Sequence, residues 1–454
     1  MTLRIETQDL DDRQLRLTVE VPRERIEAAM HRAARHLSEH TRIAGFRPGK
    51  APYELVLQKL GEEAVFEEAL DHLGQEVYQQ ALTDSSVEAV APGSLDEVVS
   101  RDPLVLRYTV PLPPEIELGS YLDVRLEFDE PSVTDESLEK VLDELRQQQA
   151  VIEPAARPAL MGDVVVLDVH GKLLAKEGAA NPGEGILLDE HGVSVLLSPT
   201  TDFPVPGVSD QLAGSSAGEA KTIHHTFPED YGNEALRGRA AVFETEVKEV
   251  KSRSVPEWSD ELARNLGEFT DLVDLRAKVR QSLIEQATRQ AEAAYAERVV
   301  DRVVEGVQAR FPPVLLHEEL DLMLRDLDRR LRDQRLTLAD YLKIEKKTES
   351  DLRTELEPRA RERLLKSLVL GKVVEAEDLA VAAEEIDAEI ERLSSPLKDQ
   401  AESLRKLLDT PASRRRIELD LLTDKAVHRL ADIARGRSAE EPVPPSTTSE
   451  ETHA

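Results

Sequence analysis

Apolar residues near the start of the chain recur at every second position. Leu3 and Ile5 form one set and Leu15, Leu17, Val19 and Val21 another, with Asp9 to Asp12 between them. This alternation predicts a β-hairpin closed by an acidic turn. From Pro22 the spacing becomes helical through Ile26, Ala29, Met30, Ala33 and Leu37, and a proline suits the entry to a first turn. After a loop over 42–51, Pro52 opens a short helix through Leu55 and Val56 to Leu60. Gly61 separates it from a helix over 62–83 carrying Val65, Phe66, Ala69, Leu70, Leu73, Val77 and Leu82. Val87 to Val90 and Pro103 to Val110 read as strands, and this unit closes near Pro111 to Pro114.

Residues 115–153 read as a connector. Tyr121 to Phe128 alternates as a strand, and Thr134 can cap a helix bearing Leu138, Val141, Leu142 and Leu145. Over 154–250 glycine rises and β-branched runs appear at Gly162 to Val169, Lys221 to Phe227 and Ala241 to Val250, which predict strands. Beyond them the period is helical. The run from Leu272 through Val279, Leu283, Ala287, Val299 and Val303 to Val307 has no interior proline, and at ~1.5 Å per residue it makes a helix about 55 Å long. Phe311-Pro312-Pro313 ends it, and a second run carries Leu316, Leu320, Met323, Leu327 and Leu331. Further helices are predicted over 349–376, with a kink or start at Pro358, over 382–394 and over 411–435.

The pattern therefore predicts a multidomain α+β protein. It has an α+β N-terminal domain over 1–114, a connector strand and helix over 115–153, and an antiparallel β insert over 154–250. An elongated all-α C-terminal domain covers 251–437, and the Pro/Ser/Thr/Glu-rich tail 438–454 is expected to be disordered.

Composition narrows the chemistry. The chain has 454 residues, no cysteine, 4% aromatics and a formal net charge of -32. Without cysteine there is no disulfide, thiolate nucleophile or thiolate metal site. With so few aromatics, the cores must be built from Leu, Val, Ile and Ala. The N-terminus carries no apolar leader-like segment, and no run of about 18 apolar residues occurs, so the reading is a soluble, cytoplasmic protein without a membrane partner. The negative charge disfavours broad nucleic-acid binding, which needs clustered cations, and no DNA partner is expected.

One stretch runs against that charge. Residues 42–50 hold Arg42, Arg47 and Lys50, the aromatic Phe46 and two turn glycines, and no acid. A basic loop on an acidic protein reads as a docking tip for something negatively charged. It is not a phosphate-binding P-loop, because Gly45 and Gly49-Lys50 are too close and Ala51 stands where Ser or Thr would bind magnesium.

The loop Gly45-Phe46-Arg47-Pro48-Gly49-Lys50-Ala51-Pro52 resembles the ribosome-docking signature of the trigger factor family, Gly-Phe-Arg-x-Gly-x-x-Pro. The resemblance extends over nearly the whole chain. Phe227-Pro-Glu-Asp-Tyr-Gly and Gly238-Arg-Ala-Ala-Val-Phe resemble that family's FKBP-type insert, and Leu364 to Val374 resembles its C-terminal region. It implies an ATP-independent chaperone that docks at the ribosomal exit tunnel and shields nascent polypeptides. Gly45, Phe46, Arg47, Gly49, Lys50 and Pro52 would form the ribosome-binding loop, touching large-subunit proteins and ribosomal RNA. The family often has a further cation directly after the arginine, and here Pro48 stands there. The resemblance leaves open whether the chain forms a homodimer off the ribosome.

The insert is only partly equipped as a prolyl isomerase. By the resemblance, Asp168, Tyr231 and Phe243 stand where the family has an acid and two aromatics of the catalytic pocket. Val169 and Val208 replace aromatics, and residues 173–185 hold none. A retained FKBP-like fold with weak isomerase activity is expected. Two other readings compete: a stand-alone FKBP-type prolyl isomerase with helical extensions, and an acidic helical scaffold.

No cofactor, metal or covalent chemistry is assigned. His224-His225 point to opposite faces of a strand, His317-Glu-Glu lacks the second histidine of a zinc-protease helix, and Gly183-Glu-Gly185 is a fragment of a dinucleotide fingerprint.

Overall fold

A computed structural model describes residues 3–41, 43, 45–174, 185–233 and 236–437 of the chain, side chains 397–399 excepted. The tail 438–454 and Arg42 lie outside the described residues. The contacts divide the chain into two compact units, one of Met1–Asp129 with Glu292–Ala454 and the other of Glu130–Ala291.

The first unit opens with the hairpin β1 (Arg4–Leu10) and β2 (Gln14–Val21), followed by α1 (Arg23–His40), α2 (Tyr53–Leu60) and α3 (Glu62–Ser85). Then come β3 (Ser94–Arg101), β4 (Leu104–Pro111) and β5 (Glu115–Glu117). The strands form an antiparallel sheet in the order β1-β2-β4-β3. Alternate residues of β2 (Leu15, Leu17, Val19, Val21) and β4 (Leu104, Leu106, Tyr108, Val110) are buried, so one face is apolar. On that face lies α3, with Val65, Ala69, Leu73, Val77 and Ala81 at four-residue spacing, and α1 with Ala29, Met30, Ala33 and Ala34. Small alanines let α1 approach closely. The Tyr108 hydroxyl donates to the Gly74 carbonyl at 2.8 Å, so its one buried polar atom is satisfied.

Val87 to Val90, expected as a strand, is not one. The Val90 amide bonds the Pro111 carbonyl, and the edge strand lies later, in β3. Tyr121 to Phe128 is also no strand. Tyr121–Asp123 is a 3-10 turn, and the Leu126 amide donates to the Ala434 carbonyl instead of to a ladder. Its apolar residues pack on Tyr295, Val369 and Leu430.

In the second unit come α4 (Asp135–Gln148), β6 (Val151–Pro154), β7 (Val164–Leu173), β8 (Ile186–Leu196), α5 (Val208–Leu212), β9 (Ala220–Thr226), β10 (Ala240–Ser254) and α6 (Asp260–Leu266). The long helix α7 (Leu272–Val304) starts there, and its residues from Glu292 onward belong to the first unit. Thr134 caps α4 by accepting the Ser137 amide. The sheet runs β6-β10-β7-β8, with β9 also on β10. Its core holds Val165, Leu167, Val169, Leu212, Phe227, Phe243 and Val247. The one tryptophan, Trp258, packs beside Leu138, Leu142, Ala263 and Leu275.

The rest of the first unit comprises β11 (Gln308–Arg310), paired with β5, then α8 (Pro313–Asp333), α9 (Leu338–Glu345), α10 (Glu349–Ala376), α11 (Ala383–Ser394), α12 (Ala401–Leu408) and α13 (Pro411–Ala434). The helix α10 runs through Pro358 and does not start there. Thr348 and Asp351 form a capping box at its start. Among the described residues, no helix is long and apolar enough to cross a membrane.

Asp163 is a buried carboxylate of the second unit. It accepts from both Arg157 guanidinium nitrogens (2.5 and 3.0 Å) and from the Leu160 amide (2.8 Å). The Arg157 hydrogen bonds hold its pKa below the ordinary carboxylate value against the upward pull of burial. A lowered folded-state pKa adds stability above the unfolded pKa, and that stability is lost as pH falls from about 4 through the folded value. Arg157→Met is therefore expected to lower stability at neutral pH, by leaving the buried carboxylate with the Leu160 amide and without its cation. Trp258 fluorescence during urea unfolding measures this, and the difference between wild type and variant should shrink in acid.

Candidate functional site

The basic loop grows out of the end of α1. Thr41 donates its amide to the Leu37 carbonyl, which closes the helix. The chain then folds back on itself. The Phe46 amide donates to the Ile43 carbonyl (3.3 Å), Lys50 to Arg47 (3.0 Å) and Gly49 to Ser38 (3.0 Å). The last of these satisfies a carbonyl near the end of α1 that a helix end would otherwise leave without a partner. Gly49 has φ +73°, and a Cβ there would sit 2.8 Å from Glu39 Cγ, so both the backbone and the space require glycine. Gly45 also has positive φ, at +90°. Pro52, with φ -59°, then starts α2.

Three internal backbone bonds brace the loop, and its described residues 45–48 and 50 are exposed. Ile43 is buried in the core while Phe46 is 43% exposed. Arg47, Pro48 and Lys50 are exposed. Among the described residues, no carboxylate lies within ion-pair distance of Arg47 or Lys50, whereas Arg32 pairs with Glu76 and Arg101 with Glu63 nearby. A cleft of about 370 Å³ beside the loop is lined by Ser38, His40, Ile43, Phe46, Arg47 and Ala51. The arrangement can seat an apolar knob against Phe46 and pair phosphate or carboxylate oxygens with Arg47 and Lys50.

Of the three residues expected in an isomerase pocket, Tyr231 stacks on Phe227, which shares the core cluster with Phe243, while Asp168 lies on the other face of the sheet. Val165, Leu167, Val169 and Gly171 of β7 face the core, and Asp168 lies on the other face. Phe243 stands opposite Gly171 in the register and is 1% exposed, whereas Asp168 stands opposite Glu246. A Cβ on Gly171 would come 2.7 Å from the Phe243 ring, so that glycine makes room for it. Asp168 accepts the Gly192 amide at 2.8 Å and pairs with Lys248 and His191, each at 3.3 Å. The Gly192 hydrogen bond leads these contacts in holding its pKa below the carboxylate range. An ionised, ion-paired Asp168 fastens the β7–β8 connection and does not face the Phe243 side of the sheet. Tyr231 is 37% exposed and stacks on Phe227 with ring centroids 4.8 Å apart. Val169 and Val208 fill core positions of this sheet.

Sequence reasoning missed a cluster on α1 and α3 made by His36, Glu68 and His72. Its members are each unremarkable in sequence, and only the pairing of the two helices joins them.

Comparison with known proteins follows the same line. A family profile described as "Bacterial trigger factor protein (TF)" matches residues 1–145, and one described as its C-terminus matches 271–432. A trigger factor of Caldanaerobacter subterraneus subsp. tengcongensis is 35% identical, covering 86% of this chain and 89% of that protein. A trigger factor of Moorella thermoacetica is 31% identical over 96% of this chain and 94% of its own length. A solved chain from work on "Promiscuous Substrate Recognition in Folding and Assembly Activities of the Trigger Factor Chaperone" shares the fold. It has a TM-score of 0.55 at 23% identity, covering 94% of this chain and 99% of that one.

The placement of Phe243 has a measurable consequence. Phe243→Ala should cost about 3–5 kcal/mol by opening a cavity in the core. Tyr231→Ala should cost less than about 1 kcal/mol, because that ring is partly in solvent. Hydrogen exchange of the β7 and β10 amides measures both. With the loop geometry, the fold and these relatives in agreement, the chain belongs to the trigger factor family.

Proposed function

We propose that this chain is an ATP-independent chaperone that docks on the ribosome beside the tunnel exit and shields emerging polypeptides. The observation that carries the reading is the loop itself. An exposed Phe46 and two cations, Arg47 and Lys50, with no carboxylate partner among the described residues, stand on a loop braced by its own backbone hydrogen bonds, on a protein of net charge -32. Ribosomal RNA supplies phosphates and ribosomal proteins supply carboxylates and apolar niches. Pro48 stiffens the loop where the family often has another cation, so more of the ionic contact falls on Arg47 and Lys50.

Client shielding draws support from the helical part of the first unit. An open cleft of about 800 Å³ is lined by Met323, Leu327, Leu352 and Leu356, with Arg330 and Glu355 among its charged walls. Flexible methionine and leucine side chains adapt to varied apolar segments, and shallow, mixed walls favour weak binding with release that needs no nucleotide.

The second unit keeps the FKBP-like sheet with weak isomerase activity. Rotating a prolyl bond crosses a barrier of ~18–20 kcal/mol, and catalysis must favour the twisted amide over the planar one. A desolvating aromatic wall does this in the family. Here Val169 and Val208 are aliphatic and Phe243 is committed to the core.

Two measurements test the proposal. Cosedimentation with vacant bacterial ribosomes should show binding by the wild type and loss of at least about tenfold in affinity for Phe46→Ala/Arg47→Ala, which corresponds to ~1.4 kcal/mol. Equal binding by both would remove the docking loop from the account. In a proline-containing tetrapeptide assay, turnover should fall well below that of an FKBP-type enzyme with a full aromatic pocket, and equal turnover would overturn the weak-isomerase reading.

A further inference from the structure

Helices α1 and α3 pack antiparallel, and their exposed edges meet in a ladder of polar pairs. Arg25 donates to Gln80 (2.6 Å), Arg32 to Glu76 (3.4 Å), and His36 lies against Glu68. At the end of the ladder nearest the basic loop, the pattern changes from arginine to histidine. His36 Nδ1 is 2.6 Å from Glu68 Oε1, and His72 Nε2 is 3.9 Å from the same oxygen. The three donor atoms lie within 4.8 Å of one another. Glu68 and His72 stand one turn apart on α3, the i, i+4 spacing that places two side chains on one face. His40 stands one turn beyond His36 on α1, with its ring centroid 4.9 Å from that of His36.

We propose that His36, Glu68 and His72 form a site for a borderline divalent transition metal, of which Zn²⁺ is the natural case. Two imidazoles and one carboxylate suit Zn²⁺, Co²⁺ or Ni²⁺, and not Mg²⁺ or Ca²⁺, which take oxygen ligands. Zinc bonds of about 2.0–2.2 Å in a tetrahedron require donors about 3.3 Å apart. The present separations, 2.6 and 3.9 Å to the shared carboxylate oxygen, bracket that value. His36 and His72 are more than half exposed, so small rotations about their side-chain bonds are free to close the triangle, while Glu68, at 23%, is the fixed corner. Water fills the fourth position, or His40 does after a change of rotamer. The backbone frame exists already, because the apolar contacts of α1 and α3 with the sheet hold it.

A metal here cross-links the C-terminal end of α1 to the N-terminal half of α3, next to the start of the basic loop. It binds the folded state alone, so it stabilises the N-terminal part of the chain by mass action. The site does not depend on what the loop docks to.

The test uses the full-length chain after dialysis against a chelator. Titration with Co²⁺ should give the visible absorption of a low-coordinate N/O site, saturating at one ion per chain, and Zn²⁺ should displace it. His36→Ala and His72→Ala should each weaken binding at least about tenfold, Glu68→Gln should also weaken it, and His191→Ala should leave it unchanged. Far-UV circular dichroism checks that each variant is folded. On the unsubstituted chain, Zn²⁺ should protect His36 and His72 from diethyl pyrocarbonate, read by mass spectrometry, which keeps the test valid even if a variant misfolds. Absence of saturable binding, binding unchanged in His36→Ala/His72→Ala, or protection of other histidines in their place would each overturn the proposal.

Discussion

The Gly49 amide donates to the Ser38 carbonyl, and what the N-terminal region presents to its surroundings depends on that bond. A helix that ends leaves carbonyls without partners. Here the loop returns to meet one of them, and the turn it makes requires positive φ at Gly49 and no side chain against Glu39. Three backbone bonds within the segment brace the loop, and Phe46, Arg47 and Lys50 stand exposed on it. They remain available to a partner at small entropic cost, because the peptide that carries them is already ordered. The apolar stripes of α1 and α3 against β2 and β4 supply the rigid base for this arrangement.

Electrostatics sharpens the contrast. Across the chain arginines are commonly paired: Arg276 with Glu139, Arg414 with Asp387, and Arg429 with Glu377. The more exposed of these, such as Arg276–Glu139, add little stability, but all of them cancel local positive charge. Among the described residues no carboxylate pairs with Arg47 or Lys50, and the surrounding negative potential discourages polyanions from settling elsewhere on the molecule. The same logic separates the loop from Asp168, whose charge is consumed by Gly192, Lys248 and His191 inside its own sheet.

Much of this was legible in the chain. Alternation in β2 and β4, four-residue spacing in α3, the Thr134 cap and the long α7 all follow from one-dimensional patterns, because one face of each element is buried. What was illegible shares a physical cause. The edge strand β3 (Ser-Leu-Asp-Glu-Val-Val-Ser-Arg) has no fully buried residue, so it carries no alternation to read. Tyr121 to Phe128 alternates because its side chains pack on a helical cluster, and pattern alone does not distinguish that from a strand in a ladder. The loop residues were found through a local motif. Asp168 and Phe243 take opposite faces of their sheet because β7 register decides which face each residue takes, and their registers differ by an odd step. The His36–Glu68–His72 cluster needed the α1–α3 packing, which no local signal encodes.

The most direct test of the central claim is a photo-crosslinker placed at position 46 of the otherwise unsubstituted chain, with Leu407 as an exposed control position. Irradiation with vacant bacterial ribosomes should yield crosslinks to large-subunit components from position 46 and none from position 407. Crosslinks from position 407 alone, or ribosome binding with no crosslink from position 46, would contradict an account in which the loop is the point of contact.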